Sequence, residues 1–369
     1  MDPVRLALDV GPLYGHRTGV GATVAELSAA LADHADVETY PYLLSFRTRP
    51  DPPVRRLPLP AAAAHRLWAR TDWPRVDRWL APADVVHGTN YVVPPSRLPQ
   101  LVSVYDCWFL VHPEQASPAV RRAAAVLRRA VARGAWVHAS SAATADRVRE
   151  LLATERVDVA HLGPLPVPPT AARPASATWT RPLDGRPFVL ALGTIERRKN
   201  VPALVEAFGR AAPRLDGAAL VLAGAAGDDE PAVERALAAL PPAVRDEVFT
   251  PGAVDSATKS WLLHHAAAVA YPSLDEGFGF PILEAQAAGR PVVATRAGSI
   301  PEIAGDGAEL VPLGDQDALA GALVRVVDDD VRSRQLVAAG TANLARFSWT
   351  ATANELVTIY RRLRDEGAP

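Results

Sequence analysis

Short apolar runs alternate with longer amphipathic stretches along this chain. The first run, 5–10, is followed by a glycine-bearing loop over 11–21, and then by apolar positions at Val24, Leu27 and Leu31, a helical spacing. Strand, glycine loop and helix in that order open a doubly wound α/β domain. Further buried strands are expected at 85–86, 101–104 and 136–139, with a helix over 119–133 between the last two. From Gly163 to about Pro187 the chain turns proline-rich and loses its periodicity, which reads as a linker. A second strand, loop and helix follow: 188–193, a polar loop to Asn200, then Leu204, Val205 and Phe208. Strands at 219–223, 269–271 and 292–294 alternate with helices, as a parallel sheet requires.

The expected architecture is therefore α/β, with two Rossmann-like doubly wound domains facing a cleft. The first covers 1–166, the linker 167–186 and the second domain 187–349. A last helix, 350–364, is a candidate to pack back on the first domain. At 369 residues the chain is too long for one ordinary core and suits two of about 150–180 residues. Hydrophobic residues make up 49%, which excludes a disordered protein.

Charge narrows the partners. The net charge is −2; residues 1–170 hold 19 arginines against 16 acids, and the remainder 20 basic residues against 25 acids. Such mild asymmetry gives no support to a nucleic-acid partner. Cys107 is the only cysteine, so neither an intrachain disulfide nor a thiolate metal cluster is expected. The start, Met1-Asp2-Pro3-Val4-Arg5, lacks a signal peptide's apolar core, and no apolar run approaches the ~20 residues of a membrane span. A soluble cytoplasmic protein is the expectation. Of the 39 basic residues only Lys199 and Lys259 are lysine. Drift in a GC-rich genome replaces lysine by arginine wherever the two are interchangeable, so a surviving lysine marks a site needing a compact point charge, or mere chance. Lys199 lies in the polar loop and fits the first reading; Lys259 fits the second.

The most informative segment runs from Tyr271 to Gly289. A strand ends at Tyr271, a glycine loop exposes backbone N–H groups at Gly277, Phe278 and Gly279, and a helix starts near Phe280 or Pro281. Glycine lets a ligand come close to the backbone, and a helix N-terminus favours a diphosphate or a ring of hydroxyls. Glu276 precedes the turn and Glu284 is placed on the helix's first turn, eight residues later. Two carboxylates at the carboxyl end of a parallel sheet can accept hydrogen bonds from two sets of sugar hydroxyls. The plainer alternative makes Glu276 a turn residue and Glu284 a helix-start acid favoured by the dipole.

The stretch 272–311, PSLDEGFGFPILEAQAAGRPVVATRAGSIPEIAGDGAELV, resembles the signature of glycosyltransferase family 4, the large retaining family with the GT-B fold. The resemblance rests on the Glu-x7-Glu spacing, the Gly-Phe-Gly turn and the later Gly-Ser-Ile-Pro-Glu. It implies that Glu276 contacts the transferred sugar, that Glu284 holds the ribose, and that Gly277, Phe278 and Gly279 meet sugar and phosphates. The stretch LGTIERRKNVPALVEAF, 192–208, resembles the family's diphosphate loop, with Arg198 and Lys199 neutralising the leaving group. Many members carry an arginine where this chain has Thr194; the Arg-Lys-Asn form resembles the mannosyltransferase-like branch. The first loop resembles the family's too, placing Gly19 and Gly21 at the diphosphate. His87 and His138 fall on first-domain landmarks of the family and read as satisfied core histidines. One departure is Tyr105, which stands where many relatives have histidine; the adjacent Asp106 remains the acceptor-side candidate.

The resemblance implies a retaining hexosyltransferase with a nucleotide-diphosphate sugar, GDP-mannose or similar, as co-substrate and a hydroxyl acceptor: a glycan, a lipid-linked glycan or a secondary metabolite. No cofactor and no metal are implied, since protein cations carry the phosphate charge in a front-face reaction. The adjacent His264 and His265 point in different directions on a helix and make a poor metal pair. The arginine-rich helix over 119–133 reads as a solvated face, with peripheral membrane contact the less favoured reading. Two rival functions share the architecture: a nucleotide-sugar 2-epimerase and a non-catalytic nucleotide-sugar-binding protein.

Overall fold

Apolar runs of four to six residues become the strands of two all-parallel sheets, one in each of two units. A computed structural model of the chain describes residues 2–14, 19–51, 53–169, 173–174 and 177–367. The first unit comprises Met1–Gly163 with Phe347–Pro369, the second Pro164–Arg346.

The first unit's sheet contains β1 (Val4–Asp9), β2 (Val37–Leu44), β3 (Arg55–Leu57), β4 (Val85–Gly88), β5 (Gln100–Val104), β6 (Trp136–Ala139) and β7 (Val157–Val159). Their order is β3-β2-β1-β4-β5-β6-β7. β4 and β5 are buried along their whole length, as expected of strands covered on both faces by helices. The Pro118–Ala132 helix covers one face through Val126 and Leu127, in a cluster with Val86 and Val102. The opposite face is covered by the Gly19–Ala32 helix, through Leu27 and Leu31, and by the Trp349–Glu366 helix, which sends Leu356, Val357, Tyr360 and Leu363 into the same cluster as Leu6 and Leu8. Ser348 caps it by accepting from the Ala351 N–H, and the Thr352 hydroxyl donates to the His161 carbonyl at 2.6 Å.

A polar chain runs through this core with every proton assigned by geometry. His138 Nε2 faces the Ala160 carbonyl at 2.9 Å, so that nitrogen carries the proton. Its Nδ1 then accepts from the Ser103 hydroxyl at 2.8 Å, and Ser103 Oγ accepts from His87 Nε2 at 2.8 Å. His87 Nδ1 accepts from the Tyr360 hydroxyl at 2.7 Å, which ties the C-terminal helix to β4 and β5. Both histidines are core groups. Burial holds His87 well below the usual imidazole range and His138 at about 4. Between about pH 6.5 and 4 the unfolded chain binds a proton at position 138 that the folded one refuses, so stability falls as pH drops through that window. The loss from His138 alone is about 3 kcal/mol. Urea unfolding of the wild type and of His138→Asn at pH 7.5 and 4.5 should differ in pH dependence by about this amount; equal dependence in the two proteins would remove the assignment.

The second unit's sheet contains β8 (Phe188–Leu192), β9 (Ala219–Ala223), β10 (Val248–Gly252), β11 (Ala268–Tyr271), β12 (Val292–Thr295) and β13 (Ala308–Val311). The order β10-β9-β8-β11-β12-β13 reverses between β8 and β11, and outside the carboxyl ends at such a switch point open α/β sheets form a ligand crevice. The described part of the segment expected as a linker, 167–186, is built into this unit instead. Residues 170–172 and 175–176 lie outside the described residues. Of the rest, Thr178–Leu183 forms a 3₁₀ helix, Val167 and Trp179 pack on the core, and Ser260 donates to the Pro168 carbonyl. Its prolines suppress regular periodicity without keeping the segment off the core.

Candidate functional site

The loops after β8 and β11 flank the second unit's switch point, and one backbone and one side-chain hydrogen bond fasten them together. Leu274 N–H donates to the Arg198 carbonyl at 2.8 Å, and Asn200 Nδ2 to the Pro272 carbonyl at 3.2 Å. After β8 the chain makes a 3₁₀ turn, Arg197–Lys199, ended by Asn200 at φ 53°, and the Val201–Ala211 helix departs. After β11 it passes through 272–278 to Gly279, whose φ of 100° suits glycine, and the Phe280–Ala287 helix begins with Pro281 in its first turn.

Glu276 lies at the centre of the fastened loops, 6% exposed. Its Oε1 accepts from Lys199 Nζ at 2.6 Å and from Ser273 Oγ at 2.8 Å, while Oε2 accepts from Arg198. Lys199 Nζ also reaches the Tyr271 hydroxyl at 2.8 Å. Burial would raise the Glu276 carboxyl, but the adjoining Lys199 and Arg198 outweigh it and hold it at about 2. Burial lowers the Lys199 ammonium, with Glu276 opposing. A carboxylate held that low is permanently charged at neutral pH and a poor proton acceptor, which suits it to receive hydroxyl hydrogen bonds.

Glu284 is also buried, and corrects the expectation of a first-turn acid. With Gly279 as N-cap it is the fifth residue of its helix, a turn in from the end, so the helix dipole does not account for it. Its Oε1 accepts from Lys259 Nζ at 2.5 Å. Lys259, read from sequence as a chance survivor, is thus the counter-charge of the second glutamate, and each of the chain's two lysines grips one of the pair. The signal was present in the lysine scarcity, but the pairing depends on the Ser256–His265 helix packing beside Phe280–Ala287, 25 residues on from Lys259 to Glu284. Behind the site, Gln286 donates to the Ala304 carbonyl at 3.0 Å and accepts from Asn343 at 2.9 Å, anchoring the helix that carries Glu284.

Gly277, Phe278 and Gly279 are buried, so the turn does not stand open to solvent as expected. Two of its carbonyls are taken: Ser299 N–H donates to Glu276 O at 2.9 Å and Ser299 Oγ to Phe278 O at 3.0 Å. Gly298, at φ 50°, is what permits this approach; a Cβ there would come 2.4 Å from Glu276 O and 2.7 Å from its N. Gly298→Ala therefore has to displace Glu276. It should lower turnover at least about tenfold while costing only about 1–3 kcal/mol of stability. Turnover beside a urea titration checks both.

In the first unit, Gly19 and Gly21 lie in the first turn of the Gly19–Ala32 helix and not in the loop before it. Residues 15–18 of the expected loop lie outside the described residues. Asp106 has structural work: Oδ1 accepts from the Trp108 N–H at 3.0 Å and Oδ2 from the Tyr91 hydroxyl at 3.1 Å. Tyr105 is buried, and burial pushes its hydroxyl well above the usual phenol range. Asp9, at the carboxyl end of β1, went unremarked in the sequence; burial pushes its carboxyl up to about 7 against one N–H donor, Gly11 at 2.8 Å. His264 and His265 each bond a backbone carbonyl four residues back, Ser260 and Trp261, both at 2.8 Å. On the Pro118–Ala132 helix and its cap, Arg129 and Arg133 both hold Asp72, and Arg128 holds the Leu151 carbonyl. No helix among the described residues is long and apolar enough to cross a membrane.

Residues 186–329 match the family model described as glycosyl transferases group 1. A phosphatidyl-myo-inositol mannosyltransferase of Mycobacterium leprae is 32% identical over 184 residues, 49% of this chain and 48% of that protein. O-antigen chain mannosyltransferase B of Escherichia coli is 30% identical over 182 residues, 48% of this chain and 46% of that protein. The chain thus spans about half the length of the curated relatives it matches. Among solved structures, Anabaena Alr3699/HepE in complex with UDP and glucose superimposes with a TM-score of 0.72 at 17% identity, over 97% of this chain and 100% of that one. At that identity the likeness shows the fold: two Rossmann-like units of the GT-B type.

Proposed function

We propose that the chain is a retaining hexosyltransferase, a reading supported by the match of residues 186–329 to the group 1 glycosyl transferases. Its donor is a nucleoside-diphosphate sugar, GDP-mannose or similar, and its acceptor a hydroxyl. The observation that carries this reading is the pair of buried glutamates at one switch point, one gripped by Arg198 and Lys199 and the other by Lys259.

Glu276 takes the hydroxyls of the transferred sugar and Glu284 those of the ribose. Arg198 and Lys199 supply the positive charge that the leaving diphosphate needs as the glycosidic bond breaks, in place of a metal ion. The helix N-terminus at Gly277, Phe278 and Gly279 adds its dipole, and Gly19 and Gly21 give the first unit a similar turn. With Glu276 held at about 2 and gripped from both sides, it is poorly suited to attack the sugar, which favours a front-face course. There the departing phosphate oxygen takes the acceptor's proton. Asp106, fixed by Trp108 and Tyr91, stands as the acceptor-side carboxylate.

A thermal-shift screen with UDP, GDP, dTDP and ADP should single out one nucleotide; at a hundredfold excess over Kd it adds about 2.7 kcal/mol to the folded state. Mass spectrometry with the matching nucleotide sugar should then find a glycosylated acceptor, with and without EDTA. An isomerised donor would instead assign an epimerase, and binding without turnover a sugar-nucleotide receptor.

A further inference from the structure

We propose that Lys259 is a positioning residue for ribose recognition: it holds Glu284 by one oxygen so that the other stays open to the nucleotide's diol. The inference rests on the reading of Glu284 as the ribose acceptor. Its observations are separate from that reading. The Glu284 side chain is 3% exposed, and a carboxylate so enclosed needs a counter-charge. Among the described residues the cation supplied is Lys259 Nζ, at 2.5 Å from Oε1; Oε2 has no hydrogen-bond partner there. Lys259 is itself 37% exposed and reaches inward from the Ser256–His265 helix, whose first turn Asp255 fixes by accepting from the Thr258 N–H at 2.7 Å.

The choice of lysine follows from the geometry. Of 39 basic residues this chain keeps lysine at two, and both face the two glutamates. A guanidinium is a planar fork that takes both oxygens of a carboxylate side-on, whereas an ammonium is a point charge that can sit on one. Arginine at 259 would occupy the oxygen that the ribose requires. Lysine neutralises Glu284 and leaves an acceptor facing the ligand.

The test measures binding of GDP and UDP, each beside its 2′,3′-dideoxy form, by calorimetry on the whole chain. The wild type should prefer the ribose form of the nucleotide it binds by about tenfold or more, the scale of one charge-assisted hydrogen bond. Glu284→Gln should lose that preference. Lys259→Arg and Lys259→Gln should lose it too, with the dideoxy affinity kept near wild type; the melting temperature should hold in Lys259→Arg, which keeps the cation, and fall in Lys259→Gln, which leaves the enclosed Glu284 carboxylate unpaired. In turnover, the same two variants should raise the donor KM about tenfold and leave kcat within about threefold. A wild type without preference overturns the ribose reading of Glu284 itself. A wild type that prefers ribose, with Lys259 variants that keep the preference, overturns the role of Lys259 alone. Loss of both ribose and dideoxy binding in both Lys259 variants would make it a merely structural residue.

Discussion

Glu276→Gln is expected to cut turnover by about 10³-fold or more, the upper end of what one preorganised polar group contributes. The variant keeps the shape and removes the charge. Lys199 at 2.6 Å and Arg198 beside it then lose the anion they both hold, inside a site where Glu276 was 6% exposed. Removing one partner of so enclosed an ion cluster costs about 3–5 kcal/mol of stability. Turnover must therefore be measured below the variant's own unfolding temperature, with a urea titration beside it. Because the wild-type carboxyl is held at about 2, Glu276 stays charged across the working range. An acid limb in the wild-type pH profile near 4–5 would have to come from another group. Near-wild-type turnover in a folded Glu276→Gln protein would end the assignment of this residue to the sugar.

Lys199→Met should lower kcat by about 10²–10³-fold and damage stability less than Glu276→Gln does. Glu276 keeps Arg198 and the Ser273 hydroxyl, so its charge remains compensated. The site loses the compact cation that Tyr271 supports from two directions, by its hydroxyl at 2.8 Å and by its ring at 4.7 Å. Lys199→Arg restores charge in a wider, planar group that cannot act as a point charge between Glu276 and the Tyr271 hydroxyl, so it should recover only part of the loss. Single-turnover kinetics with labelled donor separate this from slow product release. An unchanged chemical step in Lys199→Met would move the leaving-group role to Arg198.

The central strands were legible because burial on both faces leaves a plain apolar signature. Phe188–Leu192, Gln100–Val104 and Ala268–Tyr271 read directly as strands. The outer strands were not: β2 interrupts its apolar positions with Glu38, Thr39 and Pro41, and β10 carries Pro251. Such strands sit toward the sheet margins, where one side is wetter and a missing N–H is tolerated. In the site, the Glu276 loop and the Arg198–Lys199 turn were legible as local segments. Their fastening was not, since it depends on β8 and β11 being neighbours in the sheet while eight elements separate them in the chain. Lys259 was missed for the same reason, its partner lying on another helix.

The helix over Trp349–Glu366 also fixes when the first unit can finish folding during synthesis. Most domains close in the order in which they emerge from the ribosome. Here the cluster around Leu6, Leu8, Leu27 and Leu31 lacks Leu356, Val357, Tyr360 and Leu363 until the whole second unit has been made. His87 likewise waits for the Tyr360 hydroxyl some 270 residues downstream. The second unit, a continuous segment from Pro164 to Arg346, has no such dependence. The part of the chain translated first is therefore the part completed last, and a released chain truncated after Arg346 should resist protease in its later half while its earlier half is digested.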